Sequence, residues 1–408
     1  MASSARGAQP TSARLIIRGL STVSAIGDTQ SAWAAALRAE SAPCQKPPRL
    51  KGLPVFPLAG HIEERVRALA AEPRYQKLDR TAYLALLCAR QTLDQAAVTL
   101  PSIGCVSIGS SRGATAMLEE TMAGMESSGR VPTHTSPSTT AGTLSSWLAQ
   151  DLISRHVVPS TTATIATSMT CSSAFHSLLV ARSFVLSGMA ETALFGGSEA
   201  CLTPYTIAQL EALRIYSECR SAWPCRPCAD DDQLLNSVTL GEGAGTALLV
   251  PYEGELLEGD LELLGIGWSM EEIPSATGIS TDGAAFELSM RQALSSLADG
   301  VSVDLAILHA PGSRRGDEAE LTAVRSVLGN VSIASTKHIT GHTYGASGMI
   351  SLALAQSLLN GTPWDGFPYP NRGPRNTARP ARAILVNTAG FGGNAISVVV
   401  GTPSKLAN

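Results

Sequence analysis

From Leu15 onward, short β-branched or apolar runs alternate with longer segments whose apolar residues recur every three or four positions. The short runs read as buried strands and the longer ones as helices. In the first part of the chain, strands are predicted at 14–19, at 105–109, at 161–167, at 192–200 and in the glycine-punctuated run 238–250. Helices are predicted at 29–37, at 79–90 running on towards Ala96, at 138–152, and at 174–186 with Gly188 as a stop. After a polar connection the pattern starts again. Strands are predicted at 261–267, 304–309, 331–335, 383–387 and 395–400, with helices at 283–297, 317–328 and 346–359. The segment 41–57, rich in Pro, Lys and Arg, reads as a surface excursion. Strand and helix alternating twice over predict two α/β halves, each with its sheet covered by helices. The division falls between residues 13–255 and 256–408, and the small, polar residues 1–12 are predicted to be disordered.

Composition narrows the picture. The 408 residues are 44% hydrophobic and 16% charged, as a protein with a large core requires. A net charge of −4 gives no bulk attraction to nucleic acid, and no apolar run reaches the length of a membrane span. Eight cysteines in so long a chain are no disulfide framework, so a reducing cytoplasm is expected.

Candidate chemistry starts at Cys171, where a predicted strand meets a predicted helix. Unsatisfied N–H groups and the helix dipole favour negative charge there, so a lowered thiol pKa is expected. A lone cysteine is more often a small buried space-filler. The stretches 309–320, 336–348 and 387–394 change that balance, because they bring His309, Asp317, Glu320, Lys337, His342 and a Gly-Phe-Gly-Gly turn to further strand ends. A thiol, two imidazoles and glycine-rich backbone are the parts needed for covalent acyl transfer.

Taken together, these motifs resemble the β-ketoacyl-ACP synthases, condensing enzymes of the thiolase superfamily. The resemblance runs from Leu15 to Val400 and rests on Thr170-Cys171-Ser172-Ser173, His309 with Asp317 and Glu320, Lys337 through Gly341-His342, Gly390-Phe391-Gly392-Gly393, and Gly241 to Gly245. One stretch departs from the family pattern, reading His-Ala-Pro-Gly-Ser from His309. The combination looks most like ketosynthases of aryl polyene and flexirubin-type bacterial pathways. What the resemblance implies is a thiolase fold, two similar α/β halves in a five-layered α-β-α-β-α arrangement. It further implies Cys171 as nucleophile, His309 and His342 stabilising the enolate from malonyl-ACP, and the N–H groups of Cys171 and Phe391 as oxyanion hole, with Phe391 as a gate. Lys337 and Glu320 would support the site as a buried ion pair. No cofactor or metal is implied. The implied partners are an acyl carrier protein and, in a dimer, a second copy or a chain-length-factor-like homologue, with neither nucleic acid nor membrane.

Other readings compete. Gly109-Ser-Ser-Arg-Gly113 fits the nucleophile elbow of a serine hydrolase using Ser111. A non-catalytic chain-length-factor-like subunit is a second alternative, disfavoured by the presence of Cys171. Cys225 and Cys228, with Cys219 nearby, invite a zinc or redox reading but read better as incidental thiols on a surface loop, and His176 reads as a packed core histidine. Arg314 and Arg315 beside the His309 loop are candidates for contact with an acidic carrier protein.

Overall fold

The computed structural model describes residues 14–96, 102–230, 236–273, 275, 282–374 and 381–403; the segment 1–12, expected to be disordered, lies outside them. Its strands are β1 (Leu15–Val23), β2 (Ile103–Gly109), β3 (Ala163–Thr167), β4 (Thr192–Glu199), β5 (Gly243–Pro251), β6 (Leu261–Met270), β7 (Leu305–Ile307), β8 (Ser332–Ala334), β9 (Ala383–Gly390) and β10 (Asn394–Gly401). They lie in the order β3-β2-β4-β5-β1-β6-β10-β9-β7-β8. The order reads alike from either end: each half runs third, second, fourth, fifth, first. The hydrogen-bond directions repeat too, with β2 parallel to β3 and β4, as β7 is to β8 and β9, and the remaining pairs antiparallel. The halves meet where β1 pairs with β6 over Leu15–Leu263, Ile16–Glu262 and Ile17–Leu261.

Side chains alternating across a strand assign the layers. Along β1, Leu15 and Ile17 join one hydrophobic core, while Ile16 between them joins another. The second core is outer, formed with helices Arg80–Gln95 and Thr143–Ser154. The first runs from between the halves, around helices Ser173–Leu186 and Ser347–Leu359, which pack on each other, to the outer helices of the second half. Helix Ala284–Leu294 covers the far side, against β6 and β10. The result is five layers. Every residue of Ser347–Leu359 is buried, which explains why its sequence is apolar on nearly all faces.

Two local expectations change. The segment 41–57 is no mere surface excursion: Leu50, Val55 and Phe56 are buried, and Phe56 bridges to Gly241 beside the site. Helix Gly60–Ala71, which follows it, has a charged face that hid its three buried apolar residues, Ile62, Val66 and Leu69. Cys225 and Cys228 are both buried, the Cys228 N–H donating to Asp317 Oδ2 at 2.8 Å, so the surface-loop reading is corrected. His176 is half-buried, with Nδ1 3.1 Å from the hydroxyl of Ser172.

Candidate active site

Cys171 follows β3 and immediately precedes Ser172, the N-cap of the central helix Ser173–Leu186. The chain turns there on Thr170, whose φ of +49° is costly for a β-branched residue. The turn is braced from the other half. Thr170 Oγ1 donates to the carbonyl of Phe391 at 3.3 Å, and Gly390 lies so close that a Cβ there would stand 1.7 Å from Thr170 Oγ1. The three-residue link between β9 and β10 requires φ of +97° at Gly392 and +80° at Gly393, which accounts for its glycines.

His342 occupies the corresponding station of the second half, after β8 and before the central helix Ser347–Leu359. Its Nε2 is 3.1 Å from the Cys171 sulfur, and its Nδ1 is 3.2 Å from Ser347 Oγ. The ring of His309 meets that of His342 edge-on, centroids 5.3 Å apart and planes at 86°. Thiol and both imidazoles therefore converge, and all three line one cavity of about 780 Å³. Phe391, half-buried, lines the same cavity, as do Tyr344, Arg314 and Arg315.

Burial governs the protonation states. The thiol of Cys171 is pushed up to about 12, first by burial and then by the negative charge of Glu199, against the opposite pull of Lys337 and Arg112. The lowered pKa expected at a helix start is thus corrected, because desolvation outweighs the dipole. Burial, helped by the charge of Lys337, drives His342 down to about 3 and His309 well below its ordinary value. Both rings are neutral at physiological pH.

Lys337 is fully buried and lowered to about 8 by burial, with Glu320 pulling the other way. The expected direct ion pair between them is not made. Glu320 accepts from the N–H groups of His309 and Ala310 at 2.8 and 2.7 Å and from Asn387 Nδ2 at 3.1 Å. Lys337 Nζ is 3.5 Å from the carbonyl oxygen of Leu308. Glu320 therefore holds the backbone that carries His309, and the two charges act on each other through space.

Sequence reasoning missed three residues. Glu199, at the end of β4 and fully buried, accepts from Ser110 Oγ at 3.0 Å and from the N–H groups of Ser111, Arg112 and Gly345 at 2.8, 3.1 and 3.0 Å. Hydrogen bonds to a carboxylate are worth about 1.5–3 kcal/mol each, yet burial still raises this one to about 7. The turn read as a hydrolase elbow thus serves to bind Glu199. Tyr344 has a φ of +42° and its ring lies 5.0 Å from that of His342. Arg112 stands over the Tyr344 ring at 5.9 Å. A buried acid closing a Gly-Gly-Ser-Glu strand was the one available sequence signal.

Among the described residues no cluster of three or more His, Cys, Asp or Glu suits a metal ion, and no helix is long and apolar enough to cross a membrane. Residues 12–254 match the family described as β-ketoacyl synthase, N-terminal domain, and residues 261–362 match its C-terminal domain. The chain belongs to the β-ketoacyl synthase family, and is an acyltransferase. It is 26% identical over 385 residues to a granaticin polyketide putative β-ketoacyl synthase 1 of Streptomyces violaceoruber, covering 86% of this chain and 89% of that protein. It is 30% identical over 256 residues to a 3-oxoacyl-[acyl-carrier-protein] synthase 2 of Vibrio harveyi, covering 58% and 61%. Among solved structures, the ishigamide ketosynthase/chain length factor matches with a TM-score of 0.80 at 19% identity, covering 96% of this chain and 99% of that one. A β-ketoacyl synthase from Burkholderia phymatum matches with a TM-score of 0.80 at 21% identity over 95% and 99%.

Proposed function

We propose that this ketosynthase joins an acyl group held on Cys171 to a malonyl unit delivered by an acyl carrier protein. The observation that carries the reading is the 3.1 Å contact between His342 Nε2 and the Cys171 sulfur, with His309 packed against the same ring. In the first half-reaction the sulfur attacks the incoming thioester carbonyl, and the N–H groups of Cys171 and Phe391 hold the oxyanion. The carrier thiol leaves with the proton that Cys171 gives up. In the second, His309 and His342 donate to the thioester oxygen of malonyl-ACP as carbon dioxide departs. The resulting carbanion attacks the acyl-Cys carbonyl, the β-ketoacyl-ACP is released, and the sulfur leaves as thiolate and takes a proton from water. Neutral imidazoles suit this step, since only a ring that keeps its N–H can donate throughout; the nearby charge of Lys337 favours that state. Phe391, on its glycine-flanked link, gates the passage between half-reactions.

The substrates bring their own phosphopantetheine, so neither metal nor redox cofactor is invoked, and the reaction is one of the cytoplasm. We place it in chain elongation of a bacterial polyene or polyketide, with the work split between halves 13–255 and 256–408. Arg314 and Arg315 support carrier docking. Both begin helix Arg314–Leu328, where a cation is disfavoured by about 0.3–1 kcal/mol, and both line the cavity. A dimer is supported by helix Thr115–Ser128, which exposes Leu118, Met122 and Met125 along one face. The partner is a second copy or a chain-length-factor-like homologue; solved relatives include a ketosynthase in complex with its chain length factor from Xenorhabdus doucetiae.

The test is the intact mass of the chain after incubation with acyl-ACP. Wild type gains one acyl group and Cys171→Ala gains none. Acylation of the Ala variant would overturn the assignment.

A further inference from the structure

Arg112 is a cation that the structure leaves only partly used. Among the described residues no carboxylate lies within ion-pair distance of it, and its buried Nε has no hydrogen-bond partner. One terminal nitrogen donates to Gln209 Oε1. The guanidinium carbon stands 5.9 Å from the ring centres of both Tyr205 and Tyr344, so its faces are within cation–π reach of aromatic carbon while an edge donor stays unmatched. Its backbone is fixed, since the Arg112 N–H donates to Glu199 at 3.1 Å.

Its position gives that donor a use. Tyr344 joins Cys171, Leu202, Ile207, Leu210 and their neighbours in an apolar cluster. From the sulfur the path runs 3.1 Å to His342, then 5.0 Å between the rings of His342 and Tyr344, then 5.9 Å to the guanidinium. Tyr344 and Leu210 of that cluster line the cavity that holds Cys171, and Arg112 stands over the Tyr344 ring, so an acyl chain that passes Tyr344 would meet Arg112. A saturated chain leaves the buried N–H unmatched, whereas a chain with an acceptor oxygen completes it.

We infer that Arg112 is a specificity residue selecting acyl chains that carry a carbonyl or hydroxyl oxygen away from the thioester, over saturated chains of equal length. This rests on the ketosynthase reading and adds the substrate class to it. A site built to hydrogen-bond a substrate group discriminates strongly against the analogue lacking it.

The experiment compares initial rates of Cys171 acylation, by intact mass, from octanoyl-N-acetylcysteamine and from its keto analogues, one for each chain position. In wild type at least one keto analogue is expected to react about tenfold faster than octanoyl, the factor one hydrogen bond to a charged donor supplies. Arg112→Leu should bring that ratio near one, and Arg112→Lys, which lacks the Nε donor, should narrow it. Equal rates for octanoyl and every keto analogue in wild type overturn the inference, as does an undiminished ratio in either variant, while the ketosynthase reading stands. Absence of acylation by every thioester, in wild type, sinks that reading and this inference with it.

Discussion

The ring of His342 touches the sulfur of Cys171 across 171 residues of chain, Nε2 to Sγ 3.1 Å, and both groups are neutral at rest. A neutral pair differs from a preformed thiolate–imidazolium pair in how it meets an alkylating agent. Below its pKa a thiol gains reactivity tenfold per pH unit. With Cys171 pushed up to about 12, the logarithm of its iodoacetamide alkylation rate should climb steadily from pH 7 to 10. A plateau below pH 8 would show that the ion pair already exists.

The two imidazoles should separate on mutation. His309→Ala leaves the sulfur and its contact intact, so the variant should still be acylated, while release of carbon dioxide from malonyl-ACP falls by about a hundredfold or more. His342→Ala removes the group that touches sulfur and should slow both half-reactions. Single-turnover acylation and labelled carbon dioxide release measure the two steps apart. Equal acylation defects in both variants would contradict the division of labour.

Arg314→Glu with Arg315→Glu should raise the KM for malonyl-ACP several-fold, more at low salt than at high, and leave Cys171 alkylation unchanged. An unchanged KM across ionic strength removes these residues from carrier docking.

His338 offers a prediction about stability. It is buried among Trp223, Trp364, Phe367 and Tyr369, with centroid distances of 5.6, 5.9, 5.5 and 6.4 Å, and burial lowers it to about 4. The unfolded chain takes up a proton below its ordinary 6.5, while the folded one does not until about 4. Its burial therefore costs stability progressively as pH falls between those values. In His338→Phe that loss is absent. The stability difference, Phe variant minus wild type, should grow by up to about 3 kcal/mol from pH 7 to 4 in denaturant titrations. A difference independent of pH would refute the argument.

Much of this could be read from the chain. Strand and helix positions follow from period-two and period-3.6 patterns, and Cys171, His309 and His342 stood in motifs with fixed internal spacing. What escaped was whatever depends on contact between distant segments. The dipole at residue 171 is local and visible in sequence, but the burial that overrides it comes from distant segments, with Leu50, Leu202, Leu210 and Tyr344 among those packed into one cluster with it. Glu320 and Lys337 have opposite charges and the right family spacing, yet backbone N–H groups hold the carboxylate first. Glu199 looked like one more polar strand end, because its four donors come from two loops that only folding brings together.

The matching stations of the sulfur and its neighbouring ring carry a consequence. A repeated unit has been used to furnish one hollow with two unlike occupants, and each occupant hangs from its own scaffold. Exchange of the sulfur for an inert group leaves the walls and floor of that hollow in place. Loss of the sulfur would remove one occupant of that hollow and leave the scaffold that holds the other, so shape and reactivity can change independently.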